Sequence, residues 1–393
     1  MEQKGKMVPS SSVPPEILWS SLPLILKQFP VKTLLKLRCV SKVWCSIIDD
    51  PDFIRLHHKH SHTRPDGVSI VLMNKDGGDY QLYSVDPEGG PLVDLLEVPS
   101  LFVSKYYSSV YEPNYADTIQ LQSVNGLVCI QNRIWNPSTR QRIEIPPRKE
   151  STTTFLDVPT YLLGFDPFSD KYKILNKQVV VSIDGGGVEK RVEYQILTIG
   201  TNEWREIDSV PNEFVPYHRN HRSCCIEGVI YSFACISDED MILAFELTRE
   251  EFRIIPLPPE VDHVDCCDFY LIEVRERLGL INGAMTTISI LEDSEKIVWM
   301  TQNSIFPDFI LKYYEGSKFT PIGAIHTEIL LCVDDWNTQV KRFFYYDLES
   351  KRLRRVDAVP NLLDIFQYGI YYTKHVESLF RLKRFYFVLI DQS

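Results

Sequence analysis

The stretch GFDPFSDKY, residues 164–172, contains the local pattern that decides the fold of most of this chain. An apolar run ends at Asp166, a short turn-forming segment follows, and Tyr172, six positions after Asp166, opens the next run. Short apolar runs separated by Gly, Pro, Asp and Ser predict β-strands joined by tight turns. We therefore interpret the stretch as two neighbouring strands of an antiparallel sheet.

The same interval recurs six more times along the chain. These copies, the second of them one residue longer, run from Asp86 to Leu92, Asn136 to Ile143, Thr198 to Trp204, Glu246 to Phe252, Asp293 to Trp299 and Asp347 to Leu353. A spacing of about 44 residues suits four-stranded propeller blades, which are covered only by their neighbours. A β-sandwich is the alternative, since antiparallel proteins in general repeat strand–turn–strand units. We predict an all-β domain over residues 68–390, in the form of a β-propeller of six to seven blades.

Charge is distributed unevenly along the 393 residues. Residues 1–65 contain ten Lys and Arg against five Asp and Glu, a net charge of about +5, and the remainder of a chain of net charge −11 carries about −16. The acidic bulk argues against nucleic-acid binding, which needs a basic surface to neutralise phosphates. The basic segment suits an acidic protein partner, and a simply solvated segment is the alternative.

The basic segment has a helical pattern. In LLKLRCVSKVWCSII, residues 34–48, the side chains of Leu37, Val40, Trp44 and Ile47 fall on one face of a single α-helix. The predicted organisation is thus a disordered segment at residues 1–12, a small all-α domain at residues 13–60 and the β-domain after it.

Prolines set the expected ends of these helices. Pro30 ends a short first helix, and Thr33 is the expected N-cap of the next one. Because a proline inside a helix costs ~3 kcal/mol, Pro23 predicts that the first helix begins near Leu22 or is kinked there. DDPDF, residues 49–53, is interpreted as the exit from the helical domain.

Few residues suggest chemistry. Nine cysteines without a CxxC pair fit small buried side chains in a reducing compartment. No signal peptide or apolar run of ~18 residues is present, which predicts a soluble protein of the cytoplasm and/or nucleus with no membrane contact. HHKHSH, residues 57–62, has four imidazoles without a completing Cys or carboxylate, so no metal is predicted. No phosphate loop or GxSxG motif occurs, and no catalytic residue or cofactor is predicted.

The helical segment resembles a plant-type F-box. The resemblance is carried by PPEIL and by LILKQFPVKTLLKLRCVSKVWCSIIDDPDFIRLHH, within residues 14–58. It is most specific at residues 30–32 and 38–42 and at Trp44. The usual opening of the first helix is replaced by Pro15-Glu16-Ile17-Leu18, which lies upstream of the family position.

The rest of the chain resembles the F-box-associated domain that accompanies this F-box in plants. The motifs that carry the resemblance are NGLVC at 125–129, WNPSTRQ at 135–141, LLGFDPFSDKYKIL at 162–175, TIGTNEWREI at 198–207 and HVESLF at 375–380. The resemblance implies an α+β multidomain protein in which a small all-α F-box precedes a large all-β, propeller-type domain.

Members of this family bridge a Skp-type adaptor, held by a cullin and through it a RING protein, to a protein that becomes ubiquitinated. The resemblance implies a non-catalytic substrate-recognition subunit of an SCF-type (Skp–cullin–F-box) ubiquitin ligase, which directs its target to proteasomal degradation. The residues expected to divide between the helical core and the adaptor surface are Leu26, Phe29, Pro30, Val31, Leu35, Leu37, Val40, Trp44 and Ile47. A propeller enzyme or lectin-like binding protein with an incidental helical segment is the alternative.

Substrate contacts are expected in loops of the β-domain, because strands hold such loops rigidly. Aromatic, Arg and His side chains favour a protein-binding surface, and simple solvated loops are the alternative. The candidate residues are Tyr106, Tyr107 and Tyr111 in a first loop, residues 105–117, and Tyr217, His218, Arg219, His221 and Arg222 in a second loop, residues 213–222. Residues 258–267 form a third candidate loop.

Overall fold

A helical unit precedes a ring of β-sheets. The computed structural model describes residues 15–76, 79–86, 93–98, 121–148, 154–155, 160–184, 187–201, 203–207, 214–215, 223–236, 239–261, 269–283, 287–303, 312, 317–325, 327–335, 340–356 and 370–382. The helices are α1 Pro15–Leu26, α2 Val31–Arg38, α3 Lys42–Ile48 and α4 Pro51–Ser61, followed by a 3-10 helix at Pro65–Gly67. We call residues 15–64 the helical unit.

The stretch 34–48 forms two helices rather than the predicted one. The backbone leaves the helix after α2, and Ser41 becomes the N-cap of α3, its hydroxyl accepting a hydrogen bond from the Trp44 N–H at 3.3 Å. Val40 therefore lies in the connection and is 69% exposed instead of sharing one helical face with Leu37. A serine at an N-cap satisfies a helix donor that would otherwise have no partner, which favours the break.

The other predicted helix ends also move. α2 begins at Val31, so that Thr33 lies inside the helix and is not its N-cap. Asp50 accepts hydrogen bonds from the N–H groups of Asp52 (2.8 Å) and Phe53 (3.2 Å), and Pro51 occupies the first turn. This pairing of a capping Asp with a first-turn proline starts a helix, so DDPDF opens α4 rather than leading out of the domain.

Pro23 lies inside α1, which begins at Pro15 and not near Leu22. The helix continues past the proline, because the Lys27 N–H donates to the Pro23 carbonyl at 3.0 Å. The missing donor at Pro23 thus removes one hydrogen bond without ending the helix.

The strands form six antiparallel sheets, the blades of a six-bladed β-propeller. Blade 1 contains β1 Val68–Asp76, β2 Asp79–Val85 and β3 Val93–Val98; blade 2 contains β4 Leu121–Val124, β5 Leu127–Ile130, β6 Arg133–Asn136 and β7 Gln141–Glu144; blade 3 contains β8 Thr154–Phe155, β9 Thr160–Asp166, β10 Lys171–Asp184, β11 Gly187–Thr198 and β12 Arg205–Glu206. Blade 4 contains β13 Phe214–Val215, β14 Cys224–Ile226, β15 Val229–Ile236, β16 Glu239–Glu246 and β17 Glu251–Pro256; blade 5 contains β18 Phe269–Val274, β19 Arg277–Asn282, β20 Thr287–Asp293 and β21 Val298–Asn303; blade 6 contains β22 Lys318–Ile325, β23 Glu328–Asp335, β24 Val340–Asp347 and β25 Leu353–Arg355. The last strand, β26 Ile370–Val376, returns to blade 1.

Six apolar clusters join each blade to the next and close the ring. The cluster that completes the circle packs Ile70 and Leu72 of blade 1 against Leu330 and Tyr345 of blade 6. Since burial of apolar surface is the main stabilising term, every blade depends on both neighbours. The propeller prediction is confirmed.

Hydrogen bonding closes the ring at the same place. β26 pairs antiparallel with β1, from Val68 opposite Val376 to Asn74 opposite Ile370. The innermost strand of blade 1 therefore comes from the far end of the chain, while its other three strands follow the helical unit.

The sevenfold sequence repeat explains why the prediction allowed either six or seven blades. Six of the seven copies lead into the outermost strand of a blade, one copy in each blade, whereas the copy at 166–172 joins β9 and β10 of blade 3. Both places use the same turn: Asp166 accepts from the Phe168 N–H (3.0 Å), as Asn136 accepts from the Ser138 N–H (2.9 Å). The seventh copy is a second such turn in blade 3 and not a seventh blade.

Candidate functional site

The helical unit has its own small core. Leu26, Val31, Leu34, Ile48 and Phe53 are buried in it, each at most 3% exposed. Of the nine residues predicted to divide between core and adaptor surface, Leu26 and Val31 lie inside, and Leu35, Leu37, Trp44 and Ile47 pack against this core while partly exposed. Pro30 is partly exposed just before α2, and Phe29 and Val40 point to the outside.

A set of large apolar side chains is exposed on the helical unit. Its members, which we call the exposed apolar set, are Leu24 (54%), Ile25 (52%), Phe29 (40%), Val40 (69%) and Val43 (47%). They make up five of the nine large hydrophobic residues that are exposed among the described residues, although the helical unit is a small part of the chain. Such a concentration of exposed apolar side chains is typical of a protein-binding surface.

Three members of this set, Leu24, Ile25 and Val43, were not predicted from the sequence. Ile25 and Val43 each lie next to a predicted residue in the chain, and Leu24 lies two positions before Leu26. The sequence does not show that the break at Ser41 turns α3 relative to α2. Exposed Lys32, Lys36 and Lys42 occur on the same helices. An apolar set accompanied by lysines suits a partner with an apolar groove and an acidic border.

The helical unit is attached to the propeller through Glu377, the first residue after β26. One carboxylate oxygen of Glu377, Oε2, accepts a hydrogen bond from the Val31 N–H at 3.0 Å, at the start of α2. The other, Oε1, pairs with Arg64 and accepts from the Ser61 hydroxyl at 3.4 Å. The backbone N–H of Glu377 donates to the Gly67 carbonyl at 2.9 Å.

Two further ion pairs cross the same boundary. Arg55 of α4 reaches Asp170 in the β9–β10 turn (2.5 Å), and Arg381 reaches Asp49 (3.3 Å). Asp49 also accepts two hydrogen bonds from Arg38, at 2.6 and 2.8 Å, which lower the pKa of its carboxyl group. These exposed or partly exposed pairs orient the helices but stabilise each contact only weakly.

The histidine-rich stretch 57–62 belongs to α4 and its C-cap. Burial lowers the pKa of both His57 and His58 to about 4, so both rings are neutral at pH 7. His57 Nε2 donates to the Phe29 carbonyl (2.9 Å), and His58 Nδ1 donates to the Glu377 carbonyl (3.1 Å). Their role is to hold the helical unit together and against β26. In the described part of the chain, no group of three or more His, Cys, Asp or Glu residues is arranged to bind a metal.

α4 covers the mouth of the central channel. The first strands of the blades lie beside one another around this channel, and a cavity of about 260 Å³ remains between α4 and the turns at their ends. His58 and His62 line it from α4, and Asn125, Glu273 and Lys374 line it from the propeller. Lys374 donates to the Ala324 carbonyl at 2.8 Å and lies 3.8 Å from Glu273, so its charge is engaged within the propeller.

Strand directions separate two faces of the propeller. The turns between first and second strands, such as Asn125–Gly126, and the junction of Val376 with Val68 all lie on the face that receives the helical unit. In an antiparallel blade the fourth strand ends on the opposite face, where the next blade begins. Val98 and Leu121, which flank the first candidate substrate loop, thus lie on the face away from the helices.

The predicted substrate-contact residues lie outside the described residues. This holds for Tyr106, Tyr107, Tyr111, Tyr217, His218, Arg219, His221 and Arg222. Most of the third candidate loop, its residues 262–267, is also outside them. These residues remain predictions. Among the described helices, none is both long and apolar enough to cross a membrane.

Comparisons with known proteins agree with this architecture. A family model for the F-box associated beta propeller domain matches residues 94–378, and one for the F-box domain matches residues 11–56. The chain is 26% identical to the Arabidopsis thaliana F-box protein At3g52320, over 93% of this chain and 92% of that protein. It is 28% identical to the F-box protein At1g30790 of the same plant, over 84% of this chain and 87% of that protein.

Solved structures are much more distant. Apo AztD from Citrobacter koseri aligns over 79% of this chain and 99% of its own, with 9% identity and a TM-score of 0.33. The WD40 domain of SCAP from fission yeast aligns over 78% and 72%, with 9% identity and a TM-score of 0.29. Nothing about function follows from likenesses at this level.

Proposed function

This chain belongs to the F-box associated β-propeller family and carries an F-box ahead of the propeller, and from that membership we propose that it is the substrate-receptor subunit of an SCF-type ubiquitin ligase. The F-box, the propeller and the F-box relatives support a receptor role in general. The finer proposal is that the helical unit binds a Skp-type adaptor, and the propeller binds a protein that is then ubiquitinated and degraded.

The observation that carries the adaptor half of the proposal is the exposed apolar set. Leu24, Ile25, Phe29, Val40 and Val43 offer apolar surface that nothing in the described chain covers. Burying a few such side chains supplies the centre of a typical interface, while the neighbouring lysines form a polar rim. We therefore assign the adaptor contact to this set in place of the buried Leu26 and Val31.

The two faces of the propeller support the substrate half of the proposal. α4 and the first-to-second-strand turns occupy the adaptor side, and we propose that the opposite face, where the fourth strands end, meets the target. A receptor built in this way holds adaptor and target at opposite ends of a stiff ring. We place the receptor in the cytoplasm and/or nucleus, where such ligases act.

We propose that the chain itself performs no catalysis. Burial raises the pKa of the Cys129 and Cys225 thiols to about 12, which leaves them unreactive at neutral pH. Asp166 and Lys173, a buried charged pair, bond to the turns after β9 and β16. The chemistry of ubiquitin transfer would then belong to the proteins that the adaptor recruits.

A binding experiment with a matched control tests the proposal. Val43→Asp places a charge in the exposed apolar set, and Val298→Asp makes the same change on β21 of blade 5 at the same exposure, 47%. We expect immobilised Skp-type adaptor to capture wild type and V298D equally and V43D at least tenfold less, since central interface residues contribute about 2 kcal/mol or more. Melting temperatures of the three proteins should agree. Failure of the wild type to bind the adaptor, or equal binding by V43D, refutes the assignment.

A further inference from the structure

α2, the helix at the centre of the helical unit, lacks a cap of its own. Its N-cap position is Pro30, whose side chain accepts no hydrogen bond, and its first turn contains no acidic residue. The first N–H of the helix, that of Val31, is instead bound by the Glu377 carboxylate at 3.0 Å, 346 positions later in the chain. A carboxylate at this place also meets the positive end of the helix dipole.

Glu377 also links the ends of α1 and α4. Its side chain is 14% exposed and pairs with Arg64, which is 9% exposed. Arg64 in turn donates to the Lys27 carbonyl (3.2 Å), the residue after α1, and Ser61 at the end of α4 donates to Glu377. One side chain that follows the closing strand of the propeller is thus shared by α1, α2 and α4.

The connection between the two units leaves little freedom of movement. Gly67 ends the short 3-10 helix so closely against α4 that an added Cβ would lie 2.2 Å from the Ser61 carbonyl oxygen. Beyond Glu377, Leu379 is 3% exposed and completes the core formed by Leu26, Val31 and Phe53. The core of the helical unit therefore contains a residue from the C-terminal side of the propeller.

We propose that Glu377 is the positioning residue for adaptor binding: by capping α2 and pairing with Arg64, it makes the helical unit and the propeller one rigid body. This inference rests on the proposed function. Glu377 does not belong to the exposed apolar set and acts through α2. This helix carries Lys32 and Lys36 of the polar rim and is followed by Val40. A fixed relation between the units sets the distance between a bound adaptor and a bound target.

The test uses three full-length variants. Glu377→Ala removes both the cap and the charge, and Glu377→Gln keeps an acceptor for the Val31 N–H without the charge that faces Arg64. Glu251→Gln changes an exposed carboxylate of β17 and is the matched control. We expect adaptor affinity to fall about tenfold in E377A, less in E377Q and not at all in E251Q, because affinity scales with the population of the competent helical unit.

Hydrogen exchange separates this inference from the proposed function, because it needs no adaptor. In E377A the Val31 amide should exchange much faster than in wild type, while amides of blade 5 keep their protection. Arg64→Ala combined with E377A should recover part of the adaptor affinity, since the second change removes a largely buried charge whose remaining ion-pair partner is the exposed Asp66, at 3.3 Å. Unchanged exchange at Val31 together with wild-type affinity in E377A overturns the inference. A wild type that fails to bind the adaptor, with fast exchange in E377A, refutes the proposed function and leaves the capping role intact.

Discussion

Replacing Asp166 with Asn should destabilise the propeller at neutral pH and have a smaller effect in acid. Asp166 is 2% exposed at the end of β9, where Oδ1 accepts from the Phe168 N–H (3.0 Å) and the Thr248 hydroxyl (2.8 Å). Oδ2 accepts from the Ser169 hydroxyl (2.7 Å) and lies 3.2 Å from Lys173 Nζ. The group therefore joins blade 3 to blade 4 and orders the turn that receives Arg55 of α4.

The magnitude follows from the pKa of this carboxyl group. Burial alone would raise it, but the hydrogen bonds from Ser169, Thr248 and Lys173 outweigh burial and lower the pKa from 3.8 to about 2. That difference corresponds to about 2 kcal/mol of stability at pH 7, because one pKa unit is worth about 1.4 kcal/mol. The loss of unfolding free energy in D166N should be at least this large. Lys173, only 7% exposed, would lose one carboxylate partner and keep Glu250 as its one close carboxylate.

Urea unfolding at several pH values provides the assay. The ionised Asp166 stabilises the fold fully above the unfolded pKa of 3.8, and this stabilisation is lost as the pH falls towards 2. About half of the difference in unfolding free energy between wild type and D166N should therefore remain at pH 3. Asp293→Asn is the control, because Asp293 accepts from Lys296 N (2.9 Å) in the same kind of turn but its side chain is 35% exposed. An equal loss in both variants, or a loss in D166N that is the same at pH 7 and pH 3, would refute the reasoning.

Two further predictions concern the junction of helices and propeller. Leu379→Ala should lower the free energy of unfolding by about 2–5 kcal/mol, because it leaves a cavity in the core of the helical unit. Amide hydrogen exchange should become faster in α2 and α3 before it does in the blades. Gly126→Ala should lower the melting temperature more than Gly200→Ala: both residues have positive φ, but a Cβ at Gly126 would lie 2.2 Å from the Ser378 Cβ, whereas Gly200 faces open space. Equal melting temperatures for these two alanine variants would contradict the packing argument.

The architecture was predictable from the sequence because the same turn chemistry repeats in blades 2, 3, 5 and 6. A polar side chain at the end of a strand, such as Asn136 or Asp166, accepts backbone N–H groups of the turn, and the residue four positions later takes a positive φ. This chemistry specifies a tight turn but not which strands the turn joins. The sequence therefore predicted the propeller, and only the sheet pairing shows that the copy at 166–172 belongs within blade 3.

The helical unit was harder to predict because local signals competed there. The apolar spacing of Leu37, Val40 and Trp44 suggests one helix, but Ser41 offers a cap that divides it, and propensity does not decide between the two. Asp50 and Pro51 carry a recognisable start signal that was interpreted as an exit. Exposure of Val43 depends on the angle between α2 and α3, which the core around Leu34 and Ile48 determines.

The contact between Glu377 and Val31 lay beyond local sequence reasoning for a different reason. HVESLF is readable as a family motif, but its partners are at the other end of the chain, and no spacing relates Glu377 to α2. The position of β26 explains how the motif reaches the helical unit. The strand that closes the ring brings Glu377 and Leu379 to the helices, so the last strand of the propeller also completes the helical unit. The F-box is synthesised before any blade, yet its cap and the last residue of its core arrive after all of them. An adaptor that favours a capped α2 would consequently bind more tightly to chains whose propeller has closed.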